Sequence, residues 1–268
     1  MKYASGDNLL NLYADQITNC KVCNSKAPIV GLVDFSRCGL DVMSKKKVTP
    51  YSGVPIYYYE CEACGFVFSR ALDGWTDEQF VEYIYNEEYA LHDPDYLEAR
   101  PKLQAEIISS FPSEIRNLTI LDFGSGLGIL ERELKNRGFK HVDSYDPFTN
   151  KSNFFLDQQK YDIVFAFEVF EHHPNPKDLF RQIKGYLKPH GVLIFSTLTI
   201  NKQVIQEGLS NWWYCTPRNG HISFYSVKTL LQLANMYKFQ YLATIRGDEW
   251  HLMFNQDNRL WMDFLKVK

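Results

Sequence analysis

The sequence predicts an α/β protein in which a mainly parallel β-sheet follows a small cysteine-bearing module. Strand and helix patterns alternate from residue 118 onwards, and this order is typical of a parallel sheet with crossover helices. A glycine-rich turn at residues 124–128 separates the first of these strands from its helix. Two CxxC pairs, at residues 20–23 and 61–64, precede the alternating region.

The composition is that of a globular protein without a large excess of either charge. The chain has 268 residues, which is enough for one large domain and a small one. Its formal net charge of −3 argues against nucleic-acid binding through bulk charge. There is no apolar run of 18 residues, and residues 1–7 show no apolar secretory segment. We therefore expect a cytoplasmic protein whose cysteines are reduced.

The four cysteines of the CxxC pairs predict a structural zinc site in a zinc-ribbon module over residues 1–75. Each CxxC turn directs two thiolates to one centre, and two turns complete a tetrahedron. Residues 24–60 separate the pairs, which is longer than the usual roughly 15–20 residues, so the insert is expected to hold strands, one at 57–59. A closed four-thiolate site leaves no position for a substrate. The predicted ligands are Cys20, Cys23, Cys61 and Cys64.

Residues 76–117 predict a helical linker. Thr76 and Gln79 have the spacing of a capping box at a helix start. A second helix is expected from Tyr96 to Phe111, with a restart at Pro101.

The domain over residues 118–268 is predicted from its alternating elements. Strands are expected at residues 118–122, 141–145, near 153–156, 161–167 and 192–196. The first helix should carry Leu127, Leu130 and Leu134 at helical spacing. The next should begin at Asn175-Pro176, and a later one should begin after Ser226 and carry Leu230, Leu231 and Ala234. Two final strands, at 239–245 and 250–255, are joined by a short connection and should therefore be antiparallel.

The glycine-rich turn is the first candidate ligand site. Gly124, Gly126 and Gly128 remove every Cβ beside the turn, so a flat ligand can approach the main chain and the free N–H groups of the next helix. A dinucleotide fingerprint would require G-x-G-x-x-G, but this chain has Ile129 in place of the last glycine. Asp146 lies 22 residues after Gly124, an offset at which an acidic residue accepts hydrogen bonds from ribose hydroxyls.

The pattern D-x-G-x-G-x-G at residues 122–128 resembles motif I of class I S-adenosylmethionine (SAM) methyltransferases. The run YDIVFAFEVFEHHPNP…LKPHGVLIFST resembles the same family more specifically, in its type 11, 12 and 23 groups. The resemblance implies a Rossmann-like sheet, parallel with a C-terminal antiparallel hairpin, and SAM as the cofactor. The cofactor-binding residues that it implies are Asp122, Gly124, Ser125, Gly126, Gly128, Asp146, Pro147, Phe167 and Glu168.

A zinc ribbon followed by Tyr85-x3-Tyr89-x6-Tyr96-x3-Arg100 is similar to bacterial methyltransferases with an N-terminal ribbon. In that group the segment covers the cofactor pocket, which implies cofactor contacts for Tyr89 and Arg100.

The E-x-x-E-H pattern resembles ubiquinone-pathway O-methyltransferases and small-RNA 2′-O-methyltransferases, where such residues hold a divalent ion that binds the acceptor hydroxyls. The resemblance implies a divalent metal at Glu168, Glu171 and His172. The long aromatic connection over residues 197–225 predicts an acceptor-binding flap. In this connection, His221 resembles a histidine that faces the active site in related methyltransferases. The resemblance implies that His221 is a general base or a fourth metal ligand. The predicted catalytic residues are thus His221, His172 and Glu171.

The function that the resemblance implies is methyl transfer from SAM to a hydroxyl of a small molecule or sugar. A second interpretation is an RNA 2′-O-methyltransferase whose ribbon grips nucleic acid; Lys45-Lys46-Lys47 is the dense basic run, and a solvated loop explains it equally well. The same motifs would also suit a sugar C-methyltransferase, or a binding module that has lost catalysis. We expect the partner to be a small molecule or sugar and expect no association with a membrane. The sequence does not predict the oligomeric state.

Overall fold

A computed structural model describes residues 15–149, 159–246, 249–255 and 257–266. The chain forms two compact units, each built from three segments. Unit 1 comprises Met1–Pro94, Glu171–Lys177 and Leu198–Leu230, and unit 2 comprises Asp95–Phe170, Asp178–Thr197 and Leu231–Lys268. The first residues, 1–7, and the strand expected near 153–156 lie outside the described residues.

Unit 1 contains a five-stranded antiparallel sheet in the order β1-β2-β3-β4-β9. The strands are β1 (Ile17–Asn19), β2 (Lys26–Asp34), β3 (Pro55–Glu60), β4 (Val67–Ser69) and β9 (Ser223–Phe224). The expected aromatic strand at 57–59 lies in β3. The strand β9 comes from the long connection at residues 197–225, which thus contributes two residues to this sheet.

The helices that lie wholly in unit 1 are short. They are α1 (Gly39–Ser44), α2 (Asp77–Tyr83), α3 (Tyr89–His92) and α7 (Lys202–Glu207). The capping box of α2 is present as predicted, since the Thr76 N–H donates to Gln79 Oε1 at 2.8 Å and the Gln79 N–H donates to Thr76 Oγ1 at 3.4 Å.

Unit 2 contains a six-stranded sheet in the order β10-β11-β8-β7-β5-β6. The strands are β5 (Thr119–Phe123), β6 (His141–Tyr145), β7 (Tyr161–Ala166), β8 (Leu187–Ser196), β10 (Tyr241–Arg246) and β11 (Trp250–Phe254). Strands β5 to β8 pair in parallel, whereas β11 runs antiparallel to both β8 and β10. This confirms the predicted sheet, parallel with a C-terminal antiparallel hairpin.

The helices of unit 2 are α4 (Ala99–Ser109), α5 (Ile129–Asn136) and α9 (Arg259–Lys266), and it also holds most of α6 (Pro176–Tyr186) and α8 (Val227–Met236). Helix α4 runs through Pro101 without a restart, because Pro101 lies in the first turn, where a backbone N–H has no intrahelical partner. Helix α9 was not predicted from the sequence. No helix in the described part of the chain is both long and apolar enough to cross a membrane.

Two local predictions were wrong, each for a physical reason. Leu127 does not belong to α5 and is 56% exposed, since Gly128 is the N-cap of the helix and Leu127 precedes it. Strand β8 begins at Leu187, not at residue 192, because Leu187 pairs with Tyr161 of β7.

The core of unit 2 lies where the sheet meets the flanking helices. Phe111, just after α4, makes edge-to-face contacts with Trp250 of β11 and Trp261 of α9, with ring centroids 6.3 and 5.6 Å apart. Trp261 is 1% exposed. Helix α9 therefore covers the sheet through one fully buried indole.

We expect Trp261→Ala to lower the free energy of unfolding by about 3–5 kcal/mol, because it leaves a large cavity beside Phe111. Urea unfolding followed by circular dichroism measures this. The matched control is Trp213→Ala, whose indole is 41% exposed; it should change the same quantity by less than about 1 kcal/mol. Equal losses in the two variants would contradict the packing described for α9.

Candidate functional site

The turn between β5 and α5 is built on the three glycines of the D-x-G-x-G-x-G pattern. Gly124, Gly126 and Gly128 have φ angles of +78°, +54° and +70°, in the left-handed region that favours glycine. A Cβ on Gly124 would lie 2.4 Å from Val169 Cγ2, and one on Gly126 would lie 2.9 Å from the ring of Tyr96. A side chain at position 124 or 126 would therefore be strained and would have to displace Val169 or Tyr96, which occupy the space beside these glycines.

Hydrogen bonds fix this turn to the end of β6. The N–H groups of Gly124 and Ser125 both donate to the carbonyl of Tyr145, at 2.7 and 3.0 Å. The Gly126 N–H donates to Asp146 Oδ2 at 2.9 Å. Asp146 is 6% exposed, and the half-buried Pro147 follows it. The glycine turn and the predicted ribose-binding carboxylate thus meet at one end of the sheet.

Asp122, at the start of the glycine motif, carries a deeply buried carboxyl group. It is 3% exposed, and among the described residues neither its Oδ2 nor the Oγ of Ser125 has a hydrogen-bond partner. Burial, and then the negative charges of Glu131 and Asp146, raise the pKa of Asp122 to about 8. A cationic ligand would relieve this repulsion and supply the missing partners, so the residues fit the positively charged methionine end of SAM.

Phe167 and Glu168 follow β7. The Phe167 ring is buried, with its centroid 4.3 Å from the ring of Trp250. Glu168 has a φ angle of +54°, a costly conformation for a residue with a side chain. It is held by Ser196, which accepts from the Glu168 N–H at 2.8 Å and donates to Glu168 Oε1 at 2.7 Å. Ser196 was not predicted as a site residue, because nothing in its local sequence indicates this contact.

In the aromatic segment before α4, the residue that lies beside the glycine turn is Tyr96. The residues predicted to contact the cofactor from this segment were Tyr89 and Arg100. Tyr96 lies against Gly126 in unit 2. Arg100 is half-buried in the first turn of α4. Tyr89 belongs to unit 1, where it is buried, lies 5.2 Å from the Tyr85 ring and donates to Asp93 Oδ2 at 3.4 Å. The cofactor contacts of Tyr89 and Arg100 stay predictions, and the spacing of the aromatic segment could have indicated Tyr96.

A second candidate site lies in unit 1, where the structure brings together Glu171, His172 and His221. One potential ligand atom from each lies within 4.8 Å of the others. Glu171 is fully buried and His221 is 7% exposed. His172 Nε2 lies 3.7 Å from Glu171 Oε1, and the two imidazole rings are 4.7 Å apart at 83°.

Backbone contacts hold the two histidines in place. His221 Nδ1 lies 2.8 Å from the carbonyl oxygen of Tyr214. Because a carbonyl only accepts, Nδ1 carries the proton and the lone pair is on Nε2. The Ile222 N–H donates to the Glu171 carbonyl at 2.8 Å. Gly220, with a φ angle of +94°, leaves room for His172, whose Nδ1 would lie 2.8 Å from a Cβ at that position.

One carboxylate and two imidazoles are a suitable donor set for a divalent transition-metal ion. The Tyr214 carbonyl orients His221 in the way that backbone carbonyls commonly orient metal-binding histidines. These residues therefore fit a divalent cation. Glu168 belongs to unit 2 and its carboxylate accepts from Ser196, so its predicted part in the same metal site stays a prediction.

The four predicted zinc ligands lie close together in unit 1, with their sulfur atoms within 4.8 Å of one another. Three Sγ–Sγ distances are 3.7 Å for Cys20–Cys64, 3.3 Å for Cys23–Cys61 and 3.7 Å for Cys23–Cys64. A tetrahedron with Zn–S bonds of about 2.3 Å has edges of roughly 3.8 Å. The cluster fits zinc, and the contact with Cys20 lowers the pKa of the Cys64 thiol.

Comparison with known proteins identifies the family. A family model described as a methyltransferase domain matches residues 96–244. The chain is 32% identical over 157 residues to a ubiquinone biosynthesis O-methyltransferase of Hydrogenovibrio crunogenus, a match that covers 50% of this chain and 59% of that protein. The corresponding Rickettsia felis protein is 28% identical over 142 residues, covering 43% and 57% of the two chains. The matches thus span less than two thirds of the length of these curated relatives.

Among solved structures, a Burkholderia thailandensis 1,6-didemethyltoxoflavin-N1-methyltransferase with bound 1,6-didemethyltoxoflavin and S-adenosylhomocysteine has a TM-score of 0.45 at 14% identity. The alignment covers 66% of this chain and 84% of that one. The family model extends over more than half of the sequence, and the chain therefore belongs to the SAM-dependent methyltransferase-domain family.

Proposed function

We propose that this protein is a SAM-dependent O-methyltransferase that acts on a hydroxyl group of a small molecule or sugar. The observation that carries the choice of an oxygen acceptor is the buried cluster of Glu171, His172 and His221. The names of the curated relatives, ubiquinone biosynthesis O-methyltransferases, support the same class of reaction.

In this proposal unit 2 binds the cofactor. Asp146 binds the ribose hydroxyls, while Asp122 and Ser125 face the methionine end, where SAM carries its positive charge. SAM supplies a methyl group that is already activated, so the protein mainly has to hold and orient the two reactants. The cofactor would approach the main chain at Gly128, where a Cβ would meet nothing closer than 3.7 Å, while Gly124 and Gly126 make room for Val169 and Tyr96.

Unit 1 binds the acceptor through its cluster. A hydroxyl acceptor must lose its proton during the transfer. Glu171, His172 and His221 would hold a divalent cation, and a bound cation of this kind lowers the pKa of a hydroxyl. His221 would bind the cation through Nε2, which carries the lone pair, because Nδ1 donates its proton to the Tyr214 carbonyl.

The cysteine cluster is proposed to bind a structural zinc ion. All four thiols approach one another, which leaves no open coordination position for a substrate. The Cys64 carbonyl also accepts from Ser226 Oγ at 2.6 Å and from Thr229 Oγ1 at 3.0 Å. Zinc would therefore stabilise the sheet of unit 1 and the segment that enters α8.

The raised pKa of Asp122 predicts that SAM binding is linked to proton release. Without ligand Asp122 is protonated below about pH 8; the cofactor's cation favours the carboxylate and lowers that pKa. Affinity for SAM should therefore rise from pH 6 to about pH 8 and then level off. Isothermal titration calorimetry measures this, and Asp122→Asn should remove the rise.

The control for this experiment is Asp143→Asn. The pKa of Asp143 is lowered, because hydrogen bonds from Lys160 and Tyr161 outweigh the effect of burial, so it is ionised throughout the range. This variant should keep the pH dependence of the unmodified protein. A pH-independent affinity in the unmodified protein would contradict the role of Asp122, and no SAM binding at any pH would contradict the proposed cofactor site.

We expect zinc analysis to find about one ion per chain, in keeping with four thiolate ligands. Cys61→Ser should reduce this close to zero and lower the melting temperature, because metal-binding energy contributes to folding. Cys215→Ala, a buried thiol outside the cluster, is the control and should keep its zinc. Full zinc content in Cys61→Ser would disprove the site.

The cluster of Glu171, His172 and His221, called the acceptor cluster, predicts a metal-dependent reaction. Methyl transfer to a panel of phenols and sugars, followed by S-adenosylhomocysteine release, should fall at least about a hundredfold in Glu171→Gln and His221→Gln, while SAM affinity is unchanged. Mn²⁺ binding, followed by electron paramagnetic resonance, should weaken in both variants.

The matched controls are Glu207→Gln and His190→Gln, which alter exposed residues outside the cluster and should keep full activity and Mn²⁺ affinity. Activity that survives chelation but is lost in His221→Gln would show a base without a metal. Activity that survives in both cluster variants would exclude the cluster from the reaction.

A further inference from the structure

An open pocket of about 530 Å³ lies in unit 1, and its lining includes no member of the cysteine cluster or of the Glu171, His172 and His221 cluster. It is bounded by helix α1, by the loop at residues 45–51 and by a turn at residues 209–211. Four cationic side chains line it, contributed by Arg37, Lys45, Lys46 and Lys47. We call it the lysine pocket.

The two acidic residues of the lysine pocket hold its walls together. Asp34 Oδ1 accepts hydrogen bonds from the N–H and Oγ of both Ser36 and Ser52. Burial opposes ionisation of Asp34, but these hydrogen bonds outweigh it and lower its pKa. Asp41 accepts from Lys47 Nζ at 2.6 Å and from the Val48 N–H at 2.7 Å, and these two contacts hold the loop at residues 45–51 against α1.

The charge that remains is positive. Four cations against two carboxylates leave a formal excess of two positive charges on the lining. Lys45 and Lys46 are exposed and form no ion pair with any residue that the structure describes. Arg37 is held by donating Nε to the Cys215 carbonyl at 2.9 Å and Nη2 to the Trp212 carbonyl at 3.3 Å, so Nη1 lies outside these two contacts.

An aromatic ring completes the lining. Tyr51 is 78% exposed, and Lys47 Nζ lies 5.1 Å from its ring centroid. This cation–π contact positions the ring, which stays available for stacking with a flat ligand. Ser210 and Asn211 add neutral hydrogen-bonding groups to the lining.

We propose that the lysine pocket binds a small phosphorylated molecule, a phosphate or diphosphate ester whose ring stacks on Tyr51. Phosphate oxygens are strong acceptors for lysine and arginine donors, and the volume suits a ligand of nucleotide size. A nucleic acid suits it less well, because the chain has a net charge of −3. The proposal does not depend on methyl transfer, and the ligand is either the methyl acceptor or an effector.

The test is binding of inorganic pyrophosphate and of uridine diphosphate to the full chain, measured by calorimetry at low and moderate salt. Both should bind, more weakly as salt rises. Lys45→Glu/Lys46→Glu should weaken both at least about tenfold, because two charge-assisted contacts are lost. Tyr51→Ala should weaken uridine diphosphate alone, since pyrophosphate has no ring.

The matched control, Lys140→Glu/Lys228→Glu, changes the same charge at two exposed lysines outside the pocket and should bind both probes as the unmodified chain does. Equal melting temperatures and zinc contents would show that all variants are folded. The proposal is overturned if neither probe binds, if the two lysine pairs behave alike, or if a short RNA binds more tightly than uridine diphosphate. Competition between uridine diphosphate and an active acceptor would identify the ligand as the acceptor; its absence would identify an effector.

Discussion

The hydrogen bond from the Gly126 N–H to Asp146 joins the glycine turn to the end of β6, and the proposed cofactor site in unit 2 depends on this contact. It forms because β5 and β6 pair in parallel with Phe123 opposite Tyr145, so both strands end at the same level. The turn after β5 can then reach the end of β6, and the side chains of Tyr96 and Val169 fill the space that Cβ atoms at 126 and 124 would need. The register of β5 and β6, the positions of the glycines and the position of the Asp146 carboxylate therefore depend on one another.

Unit 1 shows a comparable dependence between its cysteine cluster and its acceptor cluster. The segment after His221 adds β9 to the sheet beside β4. Tyr58 of β3 donates to the His221 carbonyl at 2.8 Å, and the same strand leads into Cys61. A metal at the cysteines would therefore support the position of His221 without taking part in the chemistry. In the proposed function, the cysteine cluster and the cluster at His221 would thus be coupled in stability yet separate in function.

The parts of the fold that follow from local patterns were predictable from sequence. Buried apolar runs located β5 and β7, and Thr76 and Ser226 located helix starts. Contacts between distant segments were not predictable. The two-residue strand β9 exists only through pairing with β4, and Ser196 reaches Glu168 because β8 lies beside β7. His221 was predicted as a candidate from its motif, but its Tyr214 partner depends on a turn that no periodicity indicates.

The electrostatics of the glycine turn add an argument that its spacing alone does not provide. A dinucleotide would bring a pyrophosphate, with two negative charges, to the start of α5. Here burial, and then the negative charges of Glu131 and Asp146, raise the pKa of Asp122 to about 8. A further anion would add to this repulsion, whereas a sulfonium cation would reduce it. The same three carboxyl groups that destabilise the ligand-free site thus favour an adenosyl cation over a nicotinamide dinucleotide, in agreement with the glycine spacing.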